Sequence, residues 1–218
     1  MALVALALLA TAPMAKAESW FNIKAGGVFP TGNISSKGMT PSIEANLDAG
    51  FNGELEYGYN FFDKSDYILG FDIGLGYFHT SGDYSRSGYD NAGRRASASF
   101  SAKMDVVPLA LGLVAGIHSG PWRLYGGAGI DLLFCHSDFN GTMSYGTTLS
   151  GSDSESDTVF GGHVKAGLSY DITDHVFLGA EAKYLFTGNA DFKLGSDSTV
   201  ASADLNSFMI TALVGFRW

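Results

Sequence analysis

Ten charged residues recur inside stretches that are otherwise apolar, aromatic or small: Lys24, Glu54, Glu56, Asp72, Arg123, Asp131, Lys165, Glu181, Lys183 and Arg217. Each falls on the minor face of a two-residue alternation, the period of a β-strand. Charges on one buried face must pair, because an unpaired ion away from water costs several kcal/mol. Five cations against five anions can do so. A structural ion-pair plug is the simpler reading and a gated ion path the sharper one. His163, next to this set in pattern, reads as a satisfied polar group. A second candidate is His79-Thr80-Ser81, whose spacing puts a base and a nucleophile on one strand face, with Asp83 as an orienting acid. A polar strand end explains the same residues. A third is Asp153-Ser154-Glu155-Ser156-Asp157. It is acidic enough for a divalent cation but lacks the glycine and distal glutamate of an EF-hand loop, and reads as a solvated loop.

The elements that would position these residues are strands. The chain has 218 residues, enough for one domain. It carries 29 glycines, nearly twice the usual share of ~7%, with 16% charged and 13% aromatic residues. The net charge of −9 argues against a nucleic-acid partner. Cys135 is the single cysteine, which excludes an intrachain disulfide and a cysteine-based metal site. No cofactor motif is present. Residues 1–17 read as a secretory signal peptide: Leu3–Leu9 is a short apolar run, and Ala15-Lys16-Ala17 a small-x-small cleavage pattern. The usual basic start is missing, which points to a start upstream. No later segment has ~18 consecutive apolar residues, so any membrane crossing is made by strands.

Eight strands are expected, at about Trp20–Phe29, Gly50–Asn60, Tyr67–His79, Lys103–Ile117, Trp122–Cys135, Val159–Asp171, His175–Phe186 and Phe208–Trp218. In the last, Phe208, Ile210, Ala212, Val214, Phe216 and Trp218 form a wholly apolar face about as long as a membrane-spanning strand, roughly 9–11 residues. Pro108 suggests a bulge in the fourth. The connections alternate: long and polar at about 30–48, 80–99, 136–157 and after Phe186, and short near Asp63-Lys64-Ser65, His118-Ser119-Gly120-Pro121 and Thr173-Asp174.

That pattern predicts an all-β fold, an eight-stranded antiparallel transmembrane β-barrel over residues 18–218. It would have four long external loops and three short periplasmic turns. Aromatics at both ends of the apolar faces would form two girdles around a lipid belt: Tyr57, Tyr67, Trp122, Tyr170 and Trp218 at one rim, Phe29, Tyr77, Phe134, Phe160 and Phe208 at the other. The rival is a soluble lipocalin-like barrel, with the apolar faces turned inward. Eight strands leave room for side chains but not for an open channel. At the outer ends of the inward faces, Val28, Phe78, Leu133, Cys135, Leu185 and Met209 would make an apolar chamber above the charges. It is either filler packing or a pocket for a small hydrophobic ligand.

Val107-Pro108-Leu109-Ala110-Leu111-Gly112-Leu113 and Tyr125-Gly126-Gly127-Ala128-Gly129-Ile130 resemble the fourth and fifth strands of small outer-membrane barrels. Val176-Phe177-Leu178-Gly179-Ala180-Glu181-Ala182-Lys183-Tyr184 resembles their seventh, and the terminal aromatic resembles the sorting signal of that group, which includes the OmpW, OmpA transmembrane-domain and opacity-type families. The resemblance implies the bacterial outer membrane, no catalysis, surrounding lipid and lipopolysaccharide, and assembly machinery engaged by the C-terminal strand. It also implies either passage of small hydrophobic molecules through an apolar upper lumen or adhesion and envelope structure through the loops. Some barrels of this size edit lipid A with a His-x-Ser pair, but the residues around His79 and Ser81 depart from that pattern.

Overall fold

The computed structural model describes residues 18–37, 44–64, 66–89, 95–145, 147–194 and 199–218. The expected signal peptide lies outside the described residues. The strands are β1 (Glu18–Pro30), β2 (Asn33–Lys37), β3 (Glu44–Asn46), β4 (Gly50–Lys64), β5 (Tyr67–Tyr89), β6 (Arg95–Ser119), β7 (Trp122–Tyr145), β8 (Thr147–Asp171), β9 (Val176–Thr187), β10 (Asn189–Leu194), β11 (Thr199–Asp204) and β12 (Ser207–Arg217). Eight of them close a barrel in the order β1-β12-β9-β8-β7-β6-β5-β4, with every neighbouring pair antiparallel.

The two-residue alternation sorts the wall. Phe160, on the outer face of β8, is 79% exposed, whereas Lys24, on the inner face of β1, is 2% exposed. A soluble barrel would reverse those values, so the lipocalin-like arrangement is excluded. Ile23, Leu55, Ile73, Leu111, Leu124 and Ile210 share the exposed apolar surface, the belt that lipid covers in a spanning barrel. Three tight connections fall where expected, between β4 and β5, β6 and β7, and β8 and β9. The second turns on Gly120, whose φ of +60° lies in the left-handed region that favours a residue without a Cβ.

Pro108 makes no bulge. β6 keeps its register with β5 on either side of it, from Leu75↔Leu109 to Phe78↔Val106, and the ladder skips the two positions between. The proline has no N–H to give. A Cβ on Gly76 would come within 2.9 Å of its ring, so that glycine makes room for it. The register shift lies instead between Asn60 and Phe62 in β4.

The stretches read as the second and third long loops are largely strand. β5 runs on to Tyr89 and β6 starts at Arg95, while β7 reaches Tyr145 and β8 starts at Thr147. Each of these four strands has 23–25 residues, against 11–15 in β1, β4, β9 and β12. One side of the barrel is therefore a tall wall. The first and fourth long connections carry β2, β3, β10 and β11, which form a second sheet in the order β10-β11-β2-β3. Its outer strands lie against the free edges of the tall wall, β10 against β8 and β3 against β5. The seams are held by scattered bonds. Asp48 N donates to Ser81 O (2.7 Å), and Gly188 N to Phe160 O (3.2 Å). Thr80 Oγ1 donates to Asp48 O (2.6 Å), and Asp191 N to an Asp157 carboxylate oxygen (3.1 Å).

Candidate functional site

The inward faces stack three layers. The lowest, at the rim of the short turns, pairs Arg123 with Glu18 at 2.7 and 3.2 Å, and Arg217 with Asp171 at 3.0 and 2.5 Å. The Arg217 guanidinium also lies 4.5 Å from the centre of the Phe177 ring. Above these pairs is a cavity of about 40 Å³ lined by Trp20, Asn22, Asn60, Tyr125, Ser169 and Phe177, among others. It has room for a water or two.

The middle layer is the charged plug. Lys24 Nζ is its hub, 3.1 Å from Glu54, 2.8 Å from Glu56 and 2.8 Å from Glu181. Lys165 joins Glu56 at 2.5 Å and Asp72 at 2.9 Å, and Lys183 binds Glu54. Asn22 donates to Glu56 (3.3 Å), and Tyr125 Oη to Glu181 (3.0 Å). Tyr125 reaches that far by lying across Gly167, where a Cβ would come within 2.3 Å of its ring. His163 Nδ1 is 2.8 Å from Asp131, and both are buried. The oxygens of Glu54, Glu56 and Glu181 lie within 4.8 Å of one another, as in a metal site. The Lys24 ammonium occupies the position between them.

This corrects the single balanced network of ten charges. Arg123 and Arg217 do not reach the plug. They pair in the rim layer with Glu18 and Asp171, and Asp131 turns to His163 instead of to a lysine. The plug proper holds three lysines, Lys24, Lys165 and Lys183, against Glu54, Glu56, Asp72 and Glu181. Glu18 and Asp171 sit at strand ends, where alternation gives the weakest signal of facing.

The upper layer is apolar and closed. Val28, Phe78 and Leu133 are fully buried, and Leu185, Cys135 and Met209 nearly so. They form one cluster with Met104, Val106, Phe139 and Val159 from the tall wall, and with Leu47, Ala190, Ala203 and Leu205 from the second sheet and its flanking segments. The sequence brought the first six together. It missed Phe139 and the last four because their segments read as loop.

On the outer face, His79 Nδ1 is 2.9 Å from Asp105 Oδ1, which also accepts from Tyr77 Oη at 2.5 Å. His79 thus pairs with an acid across the ladder and not with Ser81. A different imidazole meets a hydroxyl: His136 Nδ1 lies 3.0 Å from Ser156 Oγ, with Asp138 3.7 Å from its Nε2. The acidic run 153–157 is strand and not a solvated loop: Glu155 and Asp157 share one face of β8, with Ser154 and Ser156 on the other. Asp157 bonds to the backbone of Thr158 and Asp191.

A closed antiparallel ring with an apolar exterior and a plugged polar interior defines an outer-membrane β-barrel. The family model described as outer membrane protein beta-barrel domain matches residues 1–217. The chain belongs to that family, and its place is the bacterial outer membrane. Among solved structures it is similar to the outer membrane protein OprG from Pseudomonas aeruginosa: 15% identity, 94% of this chain, 97% of that one, TM-score 0.58. It is also similar to the outer membrane protease OmpT from Escherichia coli: 11% identity, 96% and 100% covered, TM-score 0.54. A major outer membrane protein from Thermus thermophilus aligns at 16% identity over 92% and 99%, TM-score 0.50. At these identities the likeness is one of fold. A search of curated proteins found no match.

Proposed function

We propose that this chain is a non-catalytic barrel that takes small hydrophobic molecules into its upper lumen. The observation that supports this most is the apolar cluster around Phe78, Leu133 and Leu185, set beneath a separate sheet and directly above the plug. A lumen filled only for stability needs no such division. Burying charge in the lower half costs desolvation that its ion pairs must offset, whereas the upper half offers a solute mainly apolar side chains, with small hydroxyls such as Thr80 and Ser137 among them. The plug bars the axial route, so a guest would leave through the wall. The seams between β3 and β5 and between β10 and β8 are the weakest points, since no ladder among the described residues crosses either one. Lipid and lipopolysaccharide surround the barrel, and the exposed edge of β12 before closure suits recognition by barrel-assembly machinery.

The test is uptake of an apolar fluorophore into liposomes carrying the refolded chain, against Leu185→Asp and Phe78→Asp. Gel mobility with and without heating verifies that each variant forms a compact barrel. The proposal expects uptake to fall to background in the variants with folding retained. Equal uptake in all three would remove it. The adhesion reading then gains from the tall wall, which carries 20-odd residues per strand, about twice what a bilayer needs.

A further inference from the structure

The outer face of the tall wall changes character with height. Through the belt it presents Ile73, Leu75 and Tyr77 on β5, Leu109 and Leu111 on β6, and Ile130 and Phe134 on β7, all exposed. Just above Tyr77 the face turns ionic: His79↔Asp105↔His136 in one row, then Ser81↔Lys103↔Asp138 in the next. Two rows of small polar groups follow, Asp83↔Ser101↔Asn140 and Ser85↔Ser99↔Thr142. These six residues line a recess of about 290 Å³, with Tyr84 and Phe100 between them in register. Six of the eight lining residues stand on the outward face of the alternation and only Tyr84 and Phe100 on the inward one, so the recess belongs to the outer surface. Its size is near the lower bound of small-molecule sites, ~300 Å³.

From Tyr77 to Asp83 the chain advances about 20 Å along the strand, or roughly 15 Å of height at a tilt of ~40°. The ionic rows therefore stand level with lipid headgroups and phosphates, and the recess stands above them, where the sugars of a glycolipid lie. It opens sideways, toward whatever molecule stands next to the barrel. Its groups suit a sugar ring. The Asp83 carboxylate and Asn140 amide can each engage neighbouring hydroxyls, and Ser85, Ser99, Ser101 and Thr142 can both give and accept. One carboxylate and no described cation in the recess disfavour a phosphorylated or acidic sugar. We infer that the recess bounded by Asp83, Ser101, Asn140, Ser85, Ser99 and Thr142 binds a neutral sugar ring of the lipopolysaccharide beside the barrel. Lys103 and the two histidines face that molecule's phosphates.

Ser101→Tyr and Thr142→Tyr each place a ring in the recess from an outward position, and the heated and unheated gel verifies folding. Binding to the refolded full chain in detergent is measured for three probes: lipopolysaccharide with neutral core hexoses, lipid A without them, and the free core oligosaccharide. The wild type should bind the lipopolysaccharide at least tenfold tighter than lipid A. Both variants should lose that margin and keep their affinity for lipid A. The free oligosaccharide should bind more weakly than the whole glycolipid. Equal affinity of wild type and variants for the lipopolysaccharide would overturn the site. Free oligosaccharide binding as tightly as the glycolipid would overturn its membrane source.

Discussion

The two halves of the lumen solve one packing problem with opposite chemistry. The lower half fills an eight-stranded interior with long charged side chains that must find partners. The upper half fills it with Phe78, Met104, Leu133 and Leu185 and needs no pairing. The plug is specific about partners and intolerant of loss, whereas the apolar layer depends on volume and can yield to a guest of suitable size. A barrel that needed only to be closed could have used either chemistry throughout.

The largest effect should come from the hub. Lys24→Met leaves Glu54, Glu56 and Glu181 facing one another without their shared cation, and should cost about 3–5 kcal/mol in urea unfolding of the refolded barrel. A loss under 1 kcal/mol would mean that the lower half is as forgiving as the upper. Next, Leu133→Ala should cost roughly 2–4 kcal/mol through the cavity it leaves. A small apolar compound should restore part of that loss, which no compound should do for Lys24→Met. Arg123→Gln removes a rim pair with Glu18 that water partly reaches, and should cost about 1 kcal/mol, shrinking as salt is added. Smallest of all, Ser101→Tyr on the outer face should move stability by less than ~0.5 kcal/mol. A larger loss there would mean that the tall wall is part of the barrel's cooperative core.

Where lipid or lumen contrasts with its opposite face, the alternation was legible. Lys24, Glu54 and Glu181 read as inward, and Phe208, Ile210 and Val214 as the lipid-facing side, from residue type alone. The same rule lost the upper halves of β5 to β8. There the outer face meets water, so Ser85, Ser99 and Thr142 replace leucines and the period-two contrast fades, although Phe100 and Phe139 still mark the inner side. Partner choice among the charges was not legible either. Alternation gives the face but not the height, and Arg123 and Asp131 share a face yet belong to different layers. Ser156 and His136 lie twenty residues apart and meet only because β7 and β8 are paired, which no local spacing could reveal.

The ring closes on its own ends. β1 pairs with β12 from Trp20↔Arg217 to Pro30↔Ser207, and Ser19 and Trp218 exchange backbone hydrogen bonds of 3.1 and 3.0 Å. The first strand of the barrel to be synthesised thus waits for the last. Until they meet, both carry a row of bare N–H and C=O groups, each costing several kcal/mol in hydrocarbon. A half-inserted sheet is therefore not a resting point. Crossing the bilayer and joining the two ends must happen as one event, and its rate is set by bringing together the most distant segments of the chain.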